Sequence, residues 1–375
     1  MISFSACLVA YLLDLRLGDP PTWPHPVRWI GNFITWVQKG IRSLCRTEGA
    51  LYVGGAFLWL IVVGVCWGTT YALLELLSQL NPWLNWLAQV WIIYTLLAGR
   101  CLSDAAMGVY VALQNGSLEE CRRQLSYIVG RDTSELDRPQ ITRAVVETVA
   151  ENSVDGVIAP LFFLFIGGVP LMVAYKAVNT LDSMVGYRTE KYRAIGCVSA
   201  RMDDLANLIP ARLSWLLLSI AARMLCLNSK QALKIGWRDR YLHKSPNCAW
   251  SEATVAGALG VRLGGPNKYF GEWVEKPWIG DEEREISIQD IRLSIRLMMT
   301  ASALALALFA FARWAGVFLP DPFDPIPTLP LAGVGIARRC VCQEIKASRL
   351  FKGDTGKPME APLCPSPWGG GGWEG

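Results

Sequence analysis

Apolar and polar positions fall along this chain in long blocks, without the short periods of a soluble core. Three apolar blocks are unbroken. Residues 51–74 carry no charge but include Trp59, Trp67 and Tyr71; residues 83–99 carry none and open with Trp83 and Trp86; residues 297–319 hold only Arg313, near their end. Each approaches the ~20 residues that a helix needs to cross the hydrocarbon core, where lipid offers a bare peptide group no partner. Three spanning helices are expected, with Arg313 reaching to the interface.

The remaining apolar blocks are less regular. Residues 1–13 are too short for a full span and run into Asp14 and Arg16 without a cleavage pattern, so they read as a retained, partly inserted helix. Residues 156–178 are interrupted by Pro160, Gly167, Gly168 and Pro170, and residues 208–227 carry Arg212 and Arg223. A full crossing by the first would put Arg188, Lys191, Arg193 and Arg201 outside, against the positive-inside rule. Both segments are therefore expected to be broken or re-entrant, buried in protein. The fold class that follows is all-α, a polytopic membrane protein with about three clear spans, a short N-terminal helix and two broken helical segments.

Charge orients it. The connection at 75–82 has no Lys or Arg, whereas residues 14–50 contain Arg16, Arg28, Lys39, Arg42 and Arg46, which places the earlier loop in the cytoplasm. The polar segments 100–155, 179–207 and 228–293 are expected to face the same side. Residues 1–319 form one membrane-embedded domain in this reading. From residue 320 the chain is rich in Pro and Gly without sustained periodicity, and 320–375 is expected to be a disordered tail.

Composition narrows the function. The chain has 375 residues, 52% hydrophobic, with a net charge of +4 spread over several loops, so no nucleic-acid partner is indicated. The 11 Cys are mostly solitary in apolar runs and read as small buried side chains, with only the weak Cys340-x-Cys342 pair to suggest a metal. Two His are too few for a zinc centre, and His25, within a Pro-rich stretch, reads as an elbow between helices.

The candidate chemistry lies between residues 139 and 292. Asp137-Arg-Pro139 starts a helix on which Glu147, Glu151 and Asp155 recur every four residues. Carboxylates so spaced either pair with Arg138 and Arg143 or hold a cation, such as magnesium carrying nucleotide phosphates. Lys176, Asn179 and Asp182 share one helical face at intervals of three, combining a phosphate-neutralising cation with hard oxygen ligands. Arg201, Asp203, Asp204, Asn207 and Arg212 cluster next, with Asp204 and Asn207 expected to act together, and Asn247 follows His243-Lys-Ser-Pro. The readings that follow are Glu147, Glu151, Asp155 and Asp182 as catalytic carboxylates, Glu151, Asp182 and Asp204 as metal ligands, and Lys176, Asn179, Arg201, Arg212 and Asn247 as substrate or phosphate contacts. The glycines at 257–265 do not make a Walker A loop but allow backbone amides to approach phosphate.

Together, Gly18-Asp-Pro-Pro, His25-Pro-Val-Arg28, Glu147-Thr-Val-Ala-Glu-Asn-Ser-Val-Asp-Gly156, Tyr175-Lys-Ala-Val-Asn-Thr-Leu-Asp-Ser183, Ala200-Arg-Met-Asp-Asp204 and Ser245-Pro-Asn247 resemble adenosylcobinamide-phosphate synthase, the membrane family of cobalamin biosynthesis also called CobD or CbiB. The resemblance spans about residues 10–319. It implies a ligase of the cell (inner) membrane that uses ATP and Mg2+ to join adenosylcobyric acid to aminopropanol phosphate or ethanolamine phosphate. Association with other cobalamin-pathway enzymes is also compatible with it. The rival readings are a corrinoid transporter and a membrane sensor that binds ligand without turnover.

Overall fold

The computed structural model describes residues 4–18, 23–187, 189–269 and 272–316. The expected tail, the Cys340–Cys342 pair and the Asp19–Thr22 part of the motif after Gly18 lie outside these residues. Helix dominates, in the order α1 (Phe4–Leu17), α2 (Pro26–Leu44), α3 (Glu48–Leu80), α4 (Pro82–Leu96), α5 (Gly99–Asn115), α6 (Leu118–Ser126), α7 (Arg138–Ser153), a π-helical turn (Val154–Ile158), α8 (Ala159–Val185), α9 (Cys197–Met224), α10 (Ser229–Arg238), α11 (Cys248–Leu259) and α12 (Gln289–Trp314). The periodicity gives no sign of four short strands between α11 and α12. β1 (Leu263–Gly264) pairs antiparallel with β4 (Trp278–Ile279), and β2 (Asn267–Tyr269) with β3 (Glu272–Val274).

Local chemistry sets the helix ends. His25 is buried and its Nδ1 accepts the Val27 N–H at 3.2 Å, so with Pro26 in the first turn it starts α2 as the expected elbow. Asn81 closes α3 and caps α4, accepting from Trp83 N–H at 2.8 Å. Asp137 and Gln140 form a reciprocal capping box that opens α7 around Pro139.

Among the described residues, five helical stretches are long and apolar enough to cross a membrane: Glu48–Leu80, Pro82–Asn115, Arg138–Val185, Cys197–Met224 and Gln289–Trp314. The chain is a multi-pass membrane protein. On α3 the small residues Gly54 and Gly55 with Leu58, Val62 and Cys66 face inward, while Phe57, Leu60, Ile61, Val65, Leu73 and Leu76 form an outer apolar surface suited to lipid. Of residues 208–227, expected as a broken segment, 208–224 instead belong to the continuous helix α9, which passes through Pro210 and ends at Met224.

The stretch Arg138–Val185 is not a straight rod. As one helix it would run about 72 Å, more than twice the ~30 Å hydrocarbon thickness. It folds back at Gly167 (φ −142°, ψ 25°) and Gly168 (φ 76°, ψ −173°). The reversal stacks Phe163 on Tyr175 with centroids 4.8 Å apart, whereas a straight helix would hold residues twelve apart at about 18 Å. Residues 156–178 therefore form a helical hairpin, broken where the glycines of the sequence pattern fall. Phe309 of α12 packs against Phe162 and Phe165 at its tip, and Arg313 donates to the Phe165 carbonyl at 3.4 Å.

A second irregularity meets the first. Between α4 and α5 the helix opens at Leu97 and Ala98, and Ala98 N–H donates 3.1 Å to the Gly156 carbonyl of the π turn. Each break supplies what the other lacks, which is how non-helical backbone survives away from water.

Gly168 occupies a backbone region open essentially to glycine alone. Gly168→Ala is expected to destabilise the protein by about 1–3 kcal/mol, read as a lowered thermal midpoint in detergent. Gly64→Ala on α3, where an added methyl meets open space, is expected to leave the midpoint unchanged or raise it slightly.

Candidate active site

The hairpin, α9 and the start of α11 converge on a carboxylate-rich cleft. The π turn carries Asp155, and the returning arm of α8 brings Tyr175, Lys176 and Asn179 back to it. Asn179 Nδ2 donates to Asp155 Oδ2 at 3.3 Å, Lys176 Nζ reaches the Asp155 carbonyl at 3.4 Å, and Tyr175 Oη lies 3.5 Å from Asp155 Oδ1. Tyr175 also meets Asn207 Oδ1 at 3.0 Å, and Asn207 donates to Asp203 Oδ2 at 3.1 Å. A polar relay thus runs from Asp203 on α9 to Asp155 on the hairpin.

A second group closes the cleft from the loop before α11. Ser245 Oγ donates to Asp204 Oδ1 at 2.9 Å, and Asn247 Nδ2 to the Asp204 carbonyl at 2.8 Å. Arg212 reaches Asn247 Oδ1 at 3.4 Å while its guanidinium covers the Trp250 ring at 5.1 Å. Cys248 Sγ donates to Glu151 Oε1 at 3.2 Å, and burial followed by the Glu151 charge pushes this thiol well above its usual range, so it is a donor and not a nucleophile.

The cleft carries far more acid than base. Asp182 and Asp203 are buried, and each leaves an Oδ1 oxygen without a hydrogen-bond partner. Of the sequence candidates, Glu151, Asp155, Lys176, Asn179, Asp182, Asp204, Arg212 and Asn247 all come to this region. Three readings change. Arg201 is exposed on α9. Asn207 pairs with Asp203 and not with Asp204, because a helix aligns residues four apart. Glu151, Asp182 and Asp204 do not form a ready ligand set: among the described residues no three His, Cys, Asp or Glu side chains gather closely enough to hold a metal unaided.

Glu147 leaves the cleft. Its carboxylate accepts from Arg131 Nη2 at 2.5 Å and from Gly264 N–H at 2.7 Å, with Arg143 at 3.8 Å. One amide of the glycine-rich segment is thus spent on a carboxylate. Sequence reasoning underweighted Tyr175, Asp203 and Cys248: Tyr175 reads as part of an apolar helix yet meets Asp155 and Asn207, 20 and 32 positions away, Asp203 joins that chain through Asn207, and Cys248 takes its partner 97 positions away.

A protein-family model described as CobD/Cbib protein matches residues 7–298. The chain belongs to that family. It is 70% identical over 312 residues to a "Cobalamin biosynthesis protein CobD" of Yersinia enterocolitica, covering 83% of this chain and 98% of the relative. A protein of the same name from Photorhabdus laumondii is 68% identical over 83% and 98%, and a "Cobalamin biosynthesis protein CbiB" of Salmonella arizonae is 63% identical over 82% and 97%. No solved structure matches the chain significantly.

Beside the cleft, burial followed by the Lys276 charge lowers His243 from 6.5 to about 4. The folded protein therefore holds the ring neutral, and unfolding takes up a proton below pH 6.5. The associated stability is present above pH 6.5 and lost as pH falls toward 4. With the ring partly open to a pocket, the expected loss is on the order of 2 kcal/mol, and His243→Gln is expected to flatten the thermal midpoint over this range.

Proposed function

We propose that this chain acts in cobalamin biosynthesis as an ATP-dependent ligase, forming the amide between adenosylcobyric acid and (R)-1-aminopropan-2-ol O-phosphate, or ethanolamine phosphate, to give an adenosylcobinamide phosphate. The names of its relatives support the pathway, and the cleft supports the chemistry. The observation that carries the reading is the pair of buried, unpartnered carboxylate oxygens on Asp182 and Asp203 beside the buried cation Lys176. Burying such acids is costly unless cations compensate them. Magnesium fits this donor set when substrate phosphates complete its shell, and when bound it would neutralise charge on the transferring phosphoryl group.

The chain's own groups then divide the work. Lys176 is placed to balance phosphoryl oxygens as the propionate carboxylate attacks the γ-phosphorus of ATP, breaking its bond to the β-phosphate bridge and giving an acyl phosphate and ADP. The amine attacks the acyl carbon, the C–O bond to phosphate breaks, and a carboxylate accepts the amine proton. Asp155 suits that role because Asn179 and Tyr175 hold it in place. Arg212 and Asn247 position the Asp204 segment. The basic loops near Arg42, Lys191 and Arg193, which meet where α3 begins, favour a cytoplasmic-facing cleft in the inner membrane.

A second reading has an observation of its own. The broken hairpin lying against the opened α4–α5 junction is also an arrangement used by transporters. The deciding test is ligation by detergent-purified protein supplied with adenosylcobyric acid, aminopropanol phosphate and Mg-ATP, followed by mass spectrometry with each component omitted in turn. ATP-dependent product supports the ligase. Corrinoid uptake into proteoliposomes without product supports the transporter.

Asp182→Asn is expected to lower kcat/KM for ligation at least 100-fold and to remove the rise in thermal midpoint that Mg-ATP gives the unaltered protein, with membrane insertion retained. Deleting residues 325–375 is expected to leave ligation intact, because all the groups assigned here lie before residue 250; loss of activity in inserted protein would reject this.

A further inference from the structure

One helical turn from the cleft lies a second pocket that the reaction scheme leaves unassigned. Residues Glu147, His243, Lys244, Glu252, Gly264 and Lys276 are among its walls, and it has a volume of about 50 Å³. That exceeds the roughly 10–15 Å³ that one water needs, leaving room for a small ligand group.

The charge of its surroundings is positive. Lys244 and Lys276 line the pocket, and Arg131 and Arg143 flank Glu147 at 2.5 and 3.8 Å. Arg143 is further fixed over the Trp278 ring at 4.8 Å, and its Nε is buried without a hydrogen-bond partner. Against these four cations stand Glu147 and the exposed Glu275. Glu252, held far above the usual carboxylate range by burial and then by Glu151 and Glu147, adds a neutral, proton-bearing acid. His243 is neutral too. Its Nδ1 accepts the Ser245 N–H at 3.0 Å, which leaves the proton on Nε2 as a donor.

We propose that this pocket binds a phosphate oxyanion, specifically the phosphomonoester of the amino-alcohol substrate. Position supports the choice of source. Glu147 lies four residues before Glu151 on α7, and Glu252 four after Cys248 on α11, so the pocket and the near edge of the cleft are separated by about 6 Å along either helix. A two-carbon link between amine and phosphate ester spans about 5 Å, from bonds near 1.5 Å. A phosphate seated by Lys244 and Lys276 would thus deliver its amine to Glu151, at the near edge of the cleft. The triphosphate of ATP is the other source of the same chemistry. This assignment rests on the ligase reading for the identity of the substrate, but its test does not require turnover.

The experiment is calorimetric titration of detergent-purified, full-length protein with aminopropanol phosphate, unphosphorylated 1-aminopropan-2-ol and Mg-ATP, for the unaltered chain, Lys276→Arg and the double variant Lys244→Ala/Lys276→Ala. The double variant is expected to bind aminopropanol phosphate at least tenfold more weakly and the unphosphorylated amine unchanged, with Lys276→Arg restoring most of the affinity. Weakened Mg-ATP binding with aminopropanol phosphate unaffected would overturn the assignment to the amine and give the pocket to the nucleotide. Unchanged affinity for both in variants with a normal thermal midpoint would overturn the phosphate pocket altogether. Because binding is read directly, a failure of ligation by the unaltered protein would count against the ligase and not against the pocket.

Discussion

Inside a bilayer every peptide group must find its partner within the protein, and the chain meets that demand where the π turn lies against the opened junction of α4 and α5. Pro160 has no N–H to give the Gly156 carbonyl of the π turn, and the opened junction at Ala98 supplies the N–H that takes it. With the backbone satisfied there, the chain can reverse at Gly167 and Gly168 and carry Tyr175, Lys176 and Asn179 back to Asp155. The cleft exists because of that reversal. In a continuous helix, Asp155 and Asn179 would stand about 36 Å apart.

The same geometry explains how so many acids are tolerated in one buried place. They are arranged in layers, with Asp155 and Asp203 linked through Tyr175 and Asn207, Asp204 held by Ser245, and Glu151 by Cys248. What remains unbalanced is the pair of inward oxygens on Asp182 and Asp203. A cleft so rich in buried acids is suited, in the ligase reading, to ligands that bring their own cation. The adjoining cationic pocket has the opposite bias. A cleft lined by acids beside a pocket lined by cations can hold both ends of an amine phosphate, the amine at one and the phosphate at the other.

Much of this was legible from the chain itself. Unbroken apolar runs mark α3, α4 and α12, since the length of a span is dictated by bilayer thickness. Pro139 and Asp137 mark the start of α7, and the glycine and proline breaks at 160–170 foretell a broken segment. Residues that act within one helix, such as Lys176, Asn179 and Asp182, are also visible, because helical spacing alone puts them on one face.

Partnership between distant segments was not. Nothing in local spacing says that Asn207 belongs to Asp203, that Glu147 is consumed by Arg131 and Gly264, or that α9 runs unbroken through Pro210. The sequence by itself determined the membrane class, the broken hairpin and the list of polar residues available for chemistry, since these follow from solvent and from local backbone geometry. Only the tertiary structure decided which of those residues share a cleft and which pair off beside it. The Gly167–Gly168 reversal and the packing of α9 and α11 against it set distances that no one-dimensional pattern encodes.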